Sequence, residues 1–172
     1  MRNGPTTSEV RALESARTLE DVGAVVRTAA RRIAHADGAT FVLREDDRCF
    51  YADEDAIAPL WKGQRFPMSE CISGWAMTNG LPAVVPDIDV SARIPREAYR
   101  PTFVRSLVMV PIGNPAVGAI GAYWQEVDVP TDHEVEGLQR LAAVAAGAFA
   151  GIGISGAPWA PNFRSDDNPL VH

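Results

Sequence analysis

The sequence predicts an α+β fold: a mainly antiparallel six-stranded sheet, with long N- and C-terminal helices on one face and a short helix plus a long loop on the other. Three observations carry this. Extended helical periodicity is confined to the two ends of the chain. Between them lie short apolar runs separated by turn residues, the pattern of hairpin strands. Residues 87–102, which contain Pro95 and Pro101, form a long irregular connection of the kind that serves function inside a compact domain. A chain of 172 residues with 47% apolar and 22% charged residues suits one globular domain. The reading is a disordered N-terminus at 1–7, a domain at 8–155 and a loosely ordered tail at 156–172, where Pro158, Pro161 and Pro169 fall.

Residues 8–36 read as helix in two pieces. Val10, Leu13 and Ala16 give the first a short apolar stripe. Thr18 followed by Asp21 has the form of a capping box that restarts the helix, and Val22, Val25, Val26, Ala29, Ala30 and Ile33 follow at helical spacing. Asp37 and Gly38 stop it. Strands at 39–43 and 49–52 flank the charged turn 44–48 and form a hairpin. A short helix is expected around 56–61, and Phe66-Pro67 breaks into a loop. Residues 72–79 make a short helix closed by Gly80. Residues 82–86 are a strand bounded by prolines, as suits an edge. Strands at 106–112 and 117–125 are joined by Gly113-Asn114-Pro115. Thr131 and Glu134 form a second capping box, before a helix with Val135, Leu138, Leu141, Ala142, Ala145 and Phe149 on one face. Five of the six strands are thereby placed by residue.

The net charge is −6, and an acidic surface repels phosphate backbones and anionic lipid heads. Nucleic acid and membrane insertion are therefore not expected. No apolar run approaches the roughly 20 residues that span a bilayer, and the N-terminus lacks the apolar stretch of a secretory signal. Two cysteines, Cys49 and Cys71, make no disulfide framework, and no CxxC is present. A cytoplasmic protein is expected. Neither HExxH, GxxxxGK[ST] nor a Ser/His/Asp arrangement is present to suggest catalysis.

Five stretches resemble a GAF domain of the kind found in sensory regions of bacterial histidine kinases and related signalling proteins. They are Phe66-Pro-Met-Ser-Glu-Cys71-Ile-Ser-Gly-Trp75-Ala-Met, the pair Pro86-Asp87-Ile88 and Arg93-Ile94-Pro95, Tyr99 to Ile112, and Val117 to Trp124. The resemblance runs from about residue 18 to residue 152. It implies a PAS-related fold that senses a small molecule or cofactor between the sheet and the short helix, and dimerises through its first and last helices. It also implies a signalling output domain or kinase partner. No particular ligand is named by it. The spaced Asn-Lys-Phe-Asp-Glu signature of the cyclic-nucleotide members cannot be laid on the chain, and Ile72 stands where bilin-binding members pair a His with the Cys. Free-methionine sulfoxide reductases are GAF enzymes that use several cysteines in concert. Cys71 falls near one of theirs, but their later partners are absent.

Within that frame the candidate ligand-binding residues are Phe66, Cys71, Trp75, Asp87, Arg93, Tyr99, Arg100, Phe103 and Arg105. Cys71 stands just before a short helix, where the helix dipole favours a thiolate; the competing reading is a small side chain filling a tight turn. Trp75 can stack on a planar ligand or pack as core. Arg93, Arg100 and Arg105 suit carboxylate or phosphate, or else pair with Asp87, Asp89 and Glu97 to hold the loop. Cys49 reads as strand filler and Trp124 as core. Three functions follow: an input module, a thiol-dependent reductase acting through Cys71, and a purely structural dimerisation module.

Overall fold

The computed structural model describes residues 3–91 and 95–154. Helices α1 (Thr7–Glu14) and α2 (Leu19–Ile33) open the chain, followed by strands β1 (Gly38–Glu45), β2 (Arg48–Ala56) and β3 (Arg65–Pro67). A 3₁₀ turn at Met68–Glu70 leads into α3 (Ile72–Asn79) and β4 (Ala83–Val85). After the short turns at Ile88–Val90 and α4 (Arg96–Tyr99) come β5 (Ser106–Ile112), β6 (Gly118–Trp124) and the closing helix α5 (Asp132–Ile152).

The six strands form one sheet in the order β3-β2-β1-β6-β5-β4, with every neighbour antiparallel. The expected fold class is therefore the observed one. The chain leaves one edge at β3 and re-enters at the other edge at β4. The link between them carries α3 across the sheet, where it packs on β2, β5 and β6. Helices α2 and α5 lie together on the opposite face, with α1 against both.

Strand alternation divides the core in two. Phe41, Leu43, Val108, Val110, Ile112, Ile120, Ala122 and Trp124 face the long helices. Val42, Cys49, Tyr51, Leu107, Met109, Ala119 and Tyr123 face α3. On the helical side, Thr18 accepts from the Asp21 N–H at 3.1 Å while Asp21 accepts from the Thr18 N–H at 3.3 Å. This is the expected capping box, and it separates α2 from α1. Trp124 sits in this layer and donates from Nε1 to the His35 carbonyl at 3.1 Å.

Four expectations are corrected. No helix forms around 56–61: β2 runs on to Ala56, and an irregular segment follows. The Glu54 carboxylate accepts from the N–H groups of Leu60, Trp61 and Lys62 at 2.9, 3.0 and 2.9 Å, satisfying donors that a helix would have paired internally. Phe66-Pro67 is not loop but the end of β3, the sixth strand, with Cys49 opposite Phe66 and Arg48 opposite Pro67. Proline is tolerated there because β3 is an edge. The long 87–102 connection is not irregular throughout: among its described residues are helical turns at Ile88–Val90 and Arg96–Tyr99. Finally, of the N-terminal 1–7 expected to be disordered, residues 3–7 are described and anchored. Asn3 donates to the carbonyls of Ile33 and His133, and Arg140 donates to the Asn3 carbonyl at 2.6 Å. The tail 156–172 lies outside the described residues.

Candidate functional site

The face under α3 is built from irregular chain as much as from regular elements. The Glu54 contacts turn the 57–63 segment inward and bury Trp61. Its indole lies edge-on to three tyrosines: 4.8 Å from Tyr99, 5.3 Å from Tyr123 and 5.6 Å from Tyr51, centroid to centroid. Such tilted pairs set the positive edge of one ring against the negative face of another. Trp61 Nε1 donates to the Ala98 carbonyl at 2.9 Å, which fastens this segment to α4.

The phenols are held neutral. Burial pushes the Tyr51, Tyr99 and Tyr123 hydroxyls above the ordinary tyrosine range. Tyr123 shares a 2.8 Å hydrogen bond with Thr40, and Tyr51 shares a 3.0 Å bond with Ser73. Ser73 in turn donates to the Cys71 sulfur at 3.3 Å.

Cys71 is the N-cap residue of α3, and its sulfur lies 3.0 Å from that of Cys49 on β2. The hydrogen bond between the two cysteines is the largest influence on Cys71; with help from Ser73 and the Gly74 N–H it outweighs burial and brings the thiol down to about 7. The same contact, followed by burial, pushes Cys49 up. The sulfur of Cys49 also meets Met68 Sδ at 3.4 Å, and Cys71 meets the Pro67 carbonyl at 3.4 Å. Tyr51, Ser73, Cys71, Cys49 and Met68 thus form one continuous polar and sulfur chain inside an apolar layer.

The residues anticipated from sequence separate into two groups. Phe66, Cys71, Trp75, Tyr99 and Phe103 belong to the α3 layer, where Phe66 stands edge-on to Tyr51 at 5.5 Å. Asp87, Arg100 and Arg105 instead organise the connection around it. Asp87 accepts from the Asp89 N–H at 2.9 Å. Arg105 lies 3.6 Å from Asp89 and Arg100 3.9 Å from Glu97, all four side chains at least half exposed. Arg93 lies outside the described residues. Sequence reasoning missed Trp61, Tyr51, Tyr123 and Ser73, and missed that Cys49 reaches Cys71. The alternation of β2 carried part of that signal, since it sends Cys49 and Tyr51 to the same face. Among the described residues, no three His, Cys, Asp or Glu side chains are grouped to hold a metal ion. Nor is any helix long and apolar enough to cross a membrane.

Comparison with known proteins agrees with this geometry. The family described as GAF domain matches residues 16–150. No curated protein matches the chain. Among solved structures, it is similar to the GAF domain of an Acinetobacter phosphoenolpyruvate-protein phosphotransferase. That match has a TM-score of 0.72 and 14% identity, over 85% of this chain and 90% of that one. It is also similar to the free methionine-R-sulfoxide reductase of Neisseria meningitidis, solved with its substrate: TM-score 0.63, 16% identity, 89% of this chain and 97% of that one. A third is the chromophore-binding domain of a bacteriophytochrome from R. palustris. There the TM-score is 0.70 and the identity 16%, over 85% of this chain and 59% of that one. At these identities the likeness is one of fold.

Proposed function

Because the chain belongs to the GAF domain family, we propose that it is a small-molecule or cofactor-sensing input module of signal transduction that dimerises through its terminal helices. The observation that carries the ligand reading is the inequality of the two faces of the sheet. One is sealed by long helices, whereas the other is covered by α3 with Trp75, by Phe66 of the edge strand β3, and by irregular chain and the short α4 that bring in Trp61, Tyr99 and Phe103. Irregular segments on a rigid sheet are where binding residues concentrate, because they can rearrange without breaking the ladder. An aromatic or otherwise planar ligand suits this layer. Signal transfer to a kinase or another output domain follows from the same reading, and catalysis is not required by it.

The second reading, a structural dimerisation module, is favoured by the close packing of Tyr51, Trp61, Tyr99 and Tyr123 in that same layer. Native mass spectrometry of protein taken directly from its cells separates the two. A ligand-binding module carries added mass that is lost on denaturation. A chain that runs at its bare mass, and gains no thermal stability from any of a broad panel of aromatic metabolites, is the structural module.

For the dimer, only part of α5 is available to a partner. Leu141, Ala142, Ala145, Ala148 and Phe149 are buried in this chain's own core. The exposed stripe is Ala143, Gly147 and Gly151, four residues apart, with open space beside both glycines. Small side chains at that spacing let a second helix approach closely. Gly147→Glu sets two like charges at the closest approach and is expected to raise the dimer Kd about a hundredfold, about 2.7 kcal/mol. Sedimentation equilibrium reads this directly; a wild-type chain that is monomeric at micromolar concentration overturns the dimer.

A further inference from the structure

Cys49 and Cys71 are 22 residues apart in the chain, yet their sulfurs stand 3.0 Å apart. Cys49 is on β2 and Cys71 begins α3, and the pairing of Cys49 with Phe66 in β3 is what folds the chain back on itself. A disulfide has an S–S length of about 2.05 Å, so closure needs a movement of about 1 Å. The pair is covered by the segment Pro67–Glu70, whose Pro67 carbonyl and Met68 sulfur touch the two cysteines. Pro67, Ser69 and Glu70 are themselves exposed, so a single turn of chain lies over the sulfurs. Ser73 donates to Cys71, and the Gly74 N–H favours the same sulfur. Cys71, 8% exposed, therefore carries the features of an attacking thiol, whereas Cys49 is fully buried and its thiol is pushed up by the contact with Cys71 and by burial.

We propose that Cys49 and Cys71 form a hydroperoxide-reactive dithiol, in which Cys71 attacks, Cys49 resolves, and the product is a disulfide linking β2 to the start of α3. In the first step the Cys71 thiolate attacks the terminal oxygen of a hydroperoxide. An S–O bond forms and the O–O bond breaks. The departing oxygen takes the proton that Cys71 released and leaves as alcohol or water. Cys71 is now a sulfenic acid, oxidised by two electrons. In the second step the Cys49 sulfur attacks Cys71, the S–S bond forms, and the S–O bond breaks. The hydroxide leaves with the Cys49 proton as water. A dithiol reductant reverses the change by thiol–disulfide exchange. This chemistry is independent of the ligand proposed above, and it ties the position of α3 to oxidation state.

The test uses the full chain treated with hydrogen peroxide, denatured in acid, alkylated with N-ethylmaleimide and weighed intact. Reduced protein takes up two maleimides. Oxidised protein is expected to take up none, to weigh two hydrogens less, and to give a Cys49–Cys71 linked peptide that dithiothreitol releases. The rate should rise with pH through a midpoint of about 7, because the thiolate is the reacting form and lies on the high-pH side of the Cys71 value. In Cys49→Ala the reaction stops at a sulfenic acid that dimedone traps on Cys71; in Cys71→Ala the remaining Cys49 stays reduced. Should either variant fail to fold, the wild-type mass and peptide map decide alone. Two maleimides after peroxide, a disulfide between two chains, or a sulfinic acid on wild-type Cys71 overturns the proposal.

Discussion

Trp61→Ala is expected to remove about 3–5 kcal/mol of stability, the range for truncating a buried aromatic side chain. In a chain of this length the accompanying fall in Tm is about 6–20 °C. The indole is 4% exposed and touches Tyr51, Tyr99 and Tyr123 edge-on. Those rings come from β2, α4 and β6, three elements far apart in the chain, so closing the hole requires all three to shift. Truncation also removes the Nε1 donor to Ala98, leaving that carbonyl without this partner. Trp61→Phe keeps most of the ring while losing the donor, and should cost less than half as much. Urea unfolding of the three proteins separates packing from hydrogen bonding. A loss under about 1 kcal/mol for the alanine variant means that the 57–63 segment collapses onto the space, and the aromatic cluster is then not a fixed element of the site.

Gly74→Ala is expected to cost about 3 kcal/mol, even though alanine is the better helix former by about 1 kcal/mol. A Cβ at position 74 would collide with the carbonyl oxygen of Met68. The obstacle is backbone, so no side-chain rotation relieves it. Nor can the Met68–Glu70 turn withdraw easily, because the Met68 N–H donates to the Asp47 carbonyl at 2.7 Å and Pro67 is paired with Arg48. Either that turn or the first turn of α3 must move, and the contacts that Pro67 and Met68 make with the two sulfurs go with it. The variant should therefore also expose the dithiol. Its native-state reaction with a thiol reagent is expected to be at least tenfold faster than in the wild type. A Gly74→Ala protein as stable as the parent would show that α3 and the turn are not locked together.

Legibility in the sequence followed the range of the interactions involved. Thr18 and Asp21 announce the start of α2 because a capping box is settled within four residues. The same pattern at Thr6 and Glu9 marks α1 as clearly, with bonds of 2.8 and 3.1 Å. The stretch ending at Trp61 holds Pro59, which suits a helix poorly, and its conformation is decided by a carboxylate on the preceding strand, six to eight residues away from the amides it holds. Strand β3 is three residues long, too short for any period to show. The helix face of α5 was readable, since Leu138, Leu141, Ala142, Ala145 and Phe149 are all buried. Which small residues remained outside depended on where α2 sits, and periodicity alone does not say that.

The candidate site divides along the same line. Phe66, Cys71, Trp75, Tyr99 and Phe103 could be found because they sit in or beside stretches with a family resemblance. The arginines at 100 and 105 drew attention by their chemistry, and the structure pairs each with an acid of its own loop. What joins Cys49 to Cys71 is a strand register, and what gathers three tyrosines around one tryptophan is the closure of a whole layer. Both are tertiary facts.

The strand order has a consequence for how the chain comes off the ribosome. The two middle positions of the sheet belong to β1 and β6, the first and last strands in sequence. Until Gly118–Trp124 has been synthesised, β1 has one flank unpaired, with Phe41 and Leu43 lacking Ile120 and Gly118 as neighbours. At about 5–20 residues per second that interval lasts several seconds. Helix α5, which seals the same side, emerges later still. A nascent chain halted after β1 and before residue 118 therefore presents an open, apolar strand edge rather than a smaller version of the fold, and long-range pairing of this kind places the molecule among slow folders. Chaperone occupancy during translation should concentrate on that interval.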